Sequence, residues 1–143
     1  MWLEMPDEER LMQFEDIINQ WIEETEVRTE DILQTATYLV GKEVVTLSPV
    51  DTGLFKGNWQ LTVGATTDHS LIRYDKEGTQ VLADMARNVR TFTPGQIAYI
   101  QNTVEYGYDL EYGSSGQAPD GMVRITAAKW QMIVDQAVRL HPE

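Results

Sequence analysis

The chain has 143 residues, enough for one domain with a real core, and its 11 basic against 23 acidic side chains leave a net charge of −12. That balance excludes a protein that grips phosphate backbones by electrostatics, and the absence of cysteine excludes disulfides and thiolate metal sites. No stretch approaches the ~20 apolar residues of a membrane span, and Met1-Trp2-Leu3-Glu4-Met5-Pro6 lacks the basic and apolar regions of a signal peptide.

From about Pro6 to Thr46, Leu11, Phe14, Ile18, Trp21, Thr25, Ile32, Ala36 and Leu39 recur at spacings of three, four or seven, the period of a helix. Pro6 suits a first turn, and Asp7, Glu8 and Glu9 complement the positive end of the helix dipole. Such a rod would run ~60 Å, against a radius of gyration of about 14–15 Å for a chain of this size. Residues 1–46 are therefore read as a long helical arm that overhangs its domain; the other reading breaks the helix near Arg28-Thr29, where the apolar stripe has a gap. Pro49 ends the helical pattern. Asp51 and Thr52 are turn formers whose side-chain oxygens bond nearby backbone, and Gly53 permits a positive φ.

Trp59, Leu61 and Val63 then alternate with Asn58, Gln60 and Thr62, which predicts a half-buried strand. Gly64 to Gly78 reads as a polar connection with a short second strand at Leu71-Ile72-Arg73. A helix is expected from Thr79, capped by its own hydroxyl, with Val81, Leu82, Met85, Ala86 and Val89 on one side. Thr93-Pro94-Gly95 is a turn, and Ile97 to Asn102 is β-rich, suiting an inner strand paired with the Trp59 strand. Tyr106 to Tyr112 predicts one helical turn. Gly113 to Gly121, dense in Gly, Ser and Pro, reads as a mobile loop that orders on assembly; it lacks the lysine and the strand-to-helix setting of a phosphate-binding loop. A last helix is expected from Asp120, its N-cap, with Val123, Ala127, Trp130, Val134 and Ala137 on one face and Arg139 and His141 near its negative end. No repeat, low-complexity tract or linker divides residues 1–143. The elements amount to an α+β domain, a long N-terminal helix and a C-terminal helix packed on a small, mostly antiparallel sheet. Trp59 and Trp130 are expected to anchor its core.

Catalytic, cofactor-binding and metal residues are assigned to none of these elements. His69 lies in a polar loop and His141 near the terminus, both expected in solvent and neither with a nucleophile at informative spacing. The adjacent acids Glu23-Glu24 and Glu30-Asp31 face different directions on a helix. Asp51-Thr52-Gly53 matches the tripeptide of aspartic proteases, whose two carboxylates share a proton, so a single copy would act only as a symmetric dimer. Against that enzyme stand Leu54, where a small residue is usual, and the helical pattern upstream, where a strand is needed.

Ser48-Pro49-Val50-Asp51-Thr52-Gly53 followed by Trp59 resembles the signature of the tail-completion family, the small neck or minor tail proteins of tailed bacteriophages that include the lambda minor tail protein Z. A second block in the family's order comprises Asn102, Tyr106, Leu110-Glu111-Tyr112-Gly113, Pro119 and Gly121-Met122. The resemblance implies a structural virion protein and not an enzyme, joining the DNA-filled head to the tail as a homo-oligomeric ring at the top of the tail tube. Its implied partners are other virion neck and tail proteins and passing DNA that it does not bind specifically, with no membrane and no cofactor. It would be assembled in the host bacterial cytoplasm, and an acidic wall would suit a conduit that must not hold its cargo. Pro49, Asp51, Thr52 and Gly53 in the corner, with Glu111, Tyr112, Gly113, Pro119 and Gly121 about the loop, would position subunit contacts. The chain departs from the family's arginine-rich segment after Asp-Thr-Gly, carrying only Lys56 there, so no electrostatic contact is expected at that point. A free-standing adaptor that binds one protein as a monomer is the third reading.

Overall fold

The computed structural model describes residues 4–143, so the first three positions of the arm expected over 1–46 lie outside the described residues. The fold is α+β. Helix α1, Asp7–Leu47, runs 41 residues without a break, and the gap in its apolar stripe at Arg28-Thr29 leaves it continuous. At roughly 1.5 Å per residue it spans ~60 Å. Thr25 and Thr29 hydroxyls donate back to the Trp21 and Thr25 carbonyls (2.8 Å each), so the polar residues of the gap still serve the helix.

Among the described residues, the buried part of α1 lies in its C-terminal half. Ala36, Thr37, Gly41, Val44 and Val45 are buried, whereas every residue from Phe14 to Val27 is exposed. Strands β1, Trp59–Val63, and β2, Ala98–Asn102, pair antiparallel with Trp59 opposite Asn102, Leu61 opposite Ile100 and Val63 opposite Ala98. One face of this ribbon, led by Trp59 and Leu61, closes a core with Val44 and Val45 of α1 and with Val81, Met85 and Val89. Val81 and Met85 belong to α2, Thr79–Asn88. A two-stranded ribbon is marginal alone, and these helices supply the apolar cover it lacks. Gly41 allows the approach of α2, since a Cβ there would lie 2.6 Å from the Met85 sulfur. Three short helices complete the chain: α3, Gly107–Glu111, α4, Val123–Ala128, and α5, Trp130–Leu140. Helix α5 packs on α1 through Ile133 and Ala137 against Ala36, Ile32, Leu39 and Val40.

Several elements differ from the sequence expectation for definable reasons. Leu71-Ile72-Arg73 forms no strand because the Leu71 backbone is taken by the buried Asn58 side chain, which accepts its N–H (2.6 Å) and donates to its carbonyl (2.9 Å). Neither strand of a two-stranded sheet is inner, and the polar connection lies on the face of the ribbon that carries Gln60 and Gln101. There Gln60 donates to the His69 carbonyl (2.8 Å) and Gln101 exchanges bonds with the Thr67 backbone. Thr79 does not cap α2. Buried Asp75 takes that place, accepting from the Val81 N–H (2.9 Å), with Gly78 in the left-handed region before the helix. The last helix starts at Val123 instead of Asp120 and tightens at Lys129, whose N–H bonds the Thr126 carbonyl (3.0 Å). The tightened turn rotates the expected face, burying Thr126, Ile133 and Ala137 and turning Trp130 out to 50% exposure. Trp130 is therefore not a core anchor. His141, expected in solvent, is half-buried on α1: its Nε2 lies 2.7 Å from the Thr35 hydroxyl and its carbonyl accepts from Arg28 Nε (2.8 Å).

Candidate functional site

The corner after α1 is built on Ser48, whose hydroxyl accepts the Trp59 indole N–H (2.7 Å) and donates to the Val44 carbonyl (2.6 Å). One buried hydroxyl thus fastens the helix end to the first strand residue, and Pro49 is buried beside it. Gly53 is in the left-handed region at φ 89, as its sequence context predicts. Its carbonyl accepts two N–H groups, from Gly57 (2.8 Å) and Asp75 (3.1 Å), and a Cβ at this position would lie 2.6 Å from the Lys76 nitrogen. Thr52 Oγ1 accepts the Leu54 N–H (3.2 Å), the local turn bond expected of it. Asp51 differs: it is exposed and receives no hydrogen bond among the described residues, so the turn holds without it.

The second motif block folds directly onto this corner. Asn102 donates to the Phe55 carbonyl (2.7 Å) from 47 positions away and accepts the Val104 N–H (3.2 Å). Phe55 packs edge-on against Trp59, with ring centroids 5.8 Å apart, and lies 6.2 Å from the Tyr106 ring, which remains half-exposed. Gln117, 67 positions along the chain, pairs with the Val50 backbone in both directions at 2.8 and 3.0 Å. Ala118 is buried in the core. The loop expected to be mobile, Gly113 to Gly121, is therefore clamped to the corner and carries its own turns, Ala118 to Ser115 and Gly121 to Ala118. Gly113 closes α3 by donating to the Leu110 carbonyl (3.2 Å), and Pro119 sits exposed on the outer side.

Glu111 ties α3 to α4. Its carboxylate accepts the N–H groups of Met122 (2.9 Å), Val123 (2.7 Å) and Arg124 (3.3 Å), the orphan donors of a helix start. Arg124 adds a guanidinium bond at 3.0 Å and lies 4.4 Å over the Tyr112 ring, which is tilted against Tyr108 with centroids 4.6 Å apart. Burial alone would raise the Glu111 pKa, but the backbone bonds from Met122 and Val123 and the Arg124 side chain outweigh it and hold the carboxyl below its ordinary value. Gly121, at φ 86, leaves room for this carboxylate, which a Cβ would approach to 2.3 Å.

Beside the joined blocks lies an apolar cleft of about 380 Å³ whose lining includes Val44, Trp59, Ile100, Val123, Thr126 and Trp130. Trp59 and Trp130 thus share a surface cleft, one as its buried floor and the other as its exposed wall. Around the corner, Tyr108, Tyr112 and Val123 are exposed as well. Sequence reasoning missed Ser48 as the bridge, Asn58, Asp75 and Gln117; their roles depend on distant backbone groups, and only the position of Ser48 beside Pro49 was a local signal. Among the described residues no cluster of His, Asp or Glu forms a metal site, and no helix is long and apolar enough to cross a membrane. No family model matches the chain, and no curated protein or solved structure proved similar to it.

Proposed function

We propose that this chain is a structural protein of a bacteriophage neck that joins the filled head to the tail, working by binding and not by turnover. The observation that carries the reading is the union of the two sequence blocks. The segments that carry the resemblance to the tail-completion family are joined by bonds that span 47 and 67 positions, Asn102 to Phe55 and Gln117 to Val50, and build one rigid corner with an aromatic rim. A corner held by a buried Ser-Trp bond, a doubly accepting glycine carbonyl and a capped helix presents surface residues in fixed positions, as an assembly contact requires. Copies of the chain would close into a ring through unlike patches, here the corner rim of one copy and another face of the next. The net charge of −12 suits a conduit wall that lets DNA pass without retaining it. Localisation follows as the virion neck, after assembly in the bacterial cytoplasm.

Deleting the gene from the phage that carries it tests the reading by electron microscopy of the lysate. DNA-filled heads and complete tails, formed but unjoined, are expected. Intact virions at normal yield would remove the joining role, and empty heads would move the protein to an earlier step.

A further inference from the structure

The N-terminal half of α1 presents an apolar ridge that no described residue buries, although Leu140 to Glu143 border its Trp21 end across a cleft. Leu11, Phe14, Ile18 and Trp21 are 59%, 55%, 40% and 62% exposed, and Ile17 and Ile22 widen the stripe. Monomeric proteins rarely leave so many large apolar side chains contiguous in water. The ridge is also the continuation of a stripe that is covered further on. Leu11, Ile18, Thr25, Ile32 and Leu39 follow one another at seven-residue spacing and so share a side of the helix. At Ile32, Ala36 and Leu39 that side is occupied by α5, which ends at Leu140. The occupant that fits this stripe where it is covered is thus a helix.

Charge decides which helix. Between Asp7 and Val27 the arm carries eight carboxylates against Arg10 alone, a net of −7, and Arg10 is itself paired with Asp7. The positions that flank this seam are Glu8, Arg10, Glu15, Ile17, Ile22 and Glu24, three carboxylates against one arginine that Asp7 already holds. A second copy laid on the ridge would set a net −7 against −7. We infer that the overhanging half of α1 docks a basic amphipathic helix of another protein, one with an apolar stripe flanked by Lys or Arg. The segment Asp7–Val27 is 21 residues, or about three heptads and ~30 Å, the minimum over which such a seam is specific. This inference rests on the geometry and charge of α1 and stands apart from the neck assignment.

The test uses the full chain and a synthetic three-heptad peptide with Leu at the seam and Lys on its flanks, followed by calorimetry and by sedimentation of the chain alone. The peptide is expected to bind with one-to-one stoichiometry. Its affinity should fall ~10-fold or more in Phe14→Gln/Trp21→Gln, in Glu15→Lys/Glu24→Lys, and on raising salt from ~0.05 to ~0.5 M. Helix content and melting should remain unchanged, since none of these residues touches the core. A peptide with Glu flanks that binds as well, or affinity untouched by the ridge variants, would overturn the inference. So would a chain that dimerises by itself and loses the dimer in Phe14→Gln/Trp21→Gln, which would make a second copy the occupant.

Discussion

Gly53 and Asp51 are two residues apart in one turn, yet the structure assigns them opposite weight. Gly53 combines φ 89 with a Lys76 nitrogen 2.6 Å from where a Cβ would stand, so Gly53→Val is expected to cost at least about 2 kcal/mol in chemical denaturation. Asp51 is exposed and makes no side-chain bond among the described residues, so Asp51→Asn should stay within about 0.5 kcal/mol. The same variant also speaks to the protease alternative: digestion of an unfolded substrate by the wild type that vanishes in Asp51→Asn would restore a catalytic carboxylate. Glu111 offers a pH readout. Its carboxyl is held below the ordinary 4.5, so the bonds it accepts stabilise the fold above that value and are lost as pH falls through the lower folded value. Glu111→Gln should therefore destabilise at neutral pH, by about 1–3 kcal/mol for charge-assisted caps, and the denaturation midpoints of the two proteins should converge as pH drops below 4.5.

Among the elements, α1 is two structures in one helix. Its second half is held by α2, α5 and the sheet, while the stretch from Phe14 to Val27 is exposed throughout and carries helical bonds and side-chain pairs such as Gln20 with Glu24. Hydrogen exchange should report this directly: amides between Phe14 and Val27 are expected to exchange several orders of magnitude faster than those between Ala36 and Val45. Uniform protection along α1 would mean that the isolated chain already covers the arm. The last two helices supply a second contrast. Trp59 is buried and bonded to Ser48, whereas Trp130 is half-exposed on the cleft wall. Trp59→Ala should cost about 3–5 kcal/mol and Trp130→Ala only about 1 kcal/mol, read from denaturation midpoints. A large loss at Trp130 would put it back in the core.

At the scale of the whole molecule, charge and shape are distributed unevenly. Helix α1 holds 11 of the 23 acidic residues and three of the 11 basic ones, and the folded body at its C-terminal end holds the corner, the aromatic rim and the cleft. Long-range repulsion between acidic arms opposes association at low salt and fades as the Debye length shrinks from ~10 Å at 0.1 M to ~3 Å at 1 M. Self-association through the body should accordingly strengthen as salt rises, in a light-scattering titration, whereas docking of a basic helix on the arm should weaken. Opposite salt responses would separate the two surfaces of one chain.

Local chemistry makes much of this fold legible in the sequence. The 3.6-residue apolar period over Asp7–Leu47, the stop at Pro49, the left-handed Gly53 and the period-two alternation from Trp59 are each set by a few neighbouring residues, and each was readable in the sequence. So was the pairing of the Trp59 and Ala98 strands, although the sequence also suggested a strand at Leu71-Ile72-Arg73 that the fold does not form. What required the tertiary structure was every choice made by a distant partner. The seven-residue spacing of the α1 stripe is the same at Ile18 as at Ile32, yet α5 reaches only the second. Asp75 displaced Thr79 as a cap, Asn58 removed Leu71 from strand pairing, and Gln117 clamped a Gly-rich loop that composition alone reads as loose. Hydrogen-bond donors and acceptors are satisfied by whatever the fold brings within about 3 Å, and sequence separation carries no information about that distance.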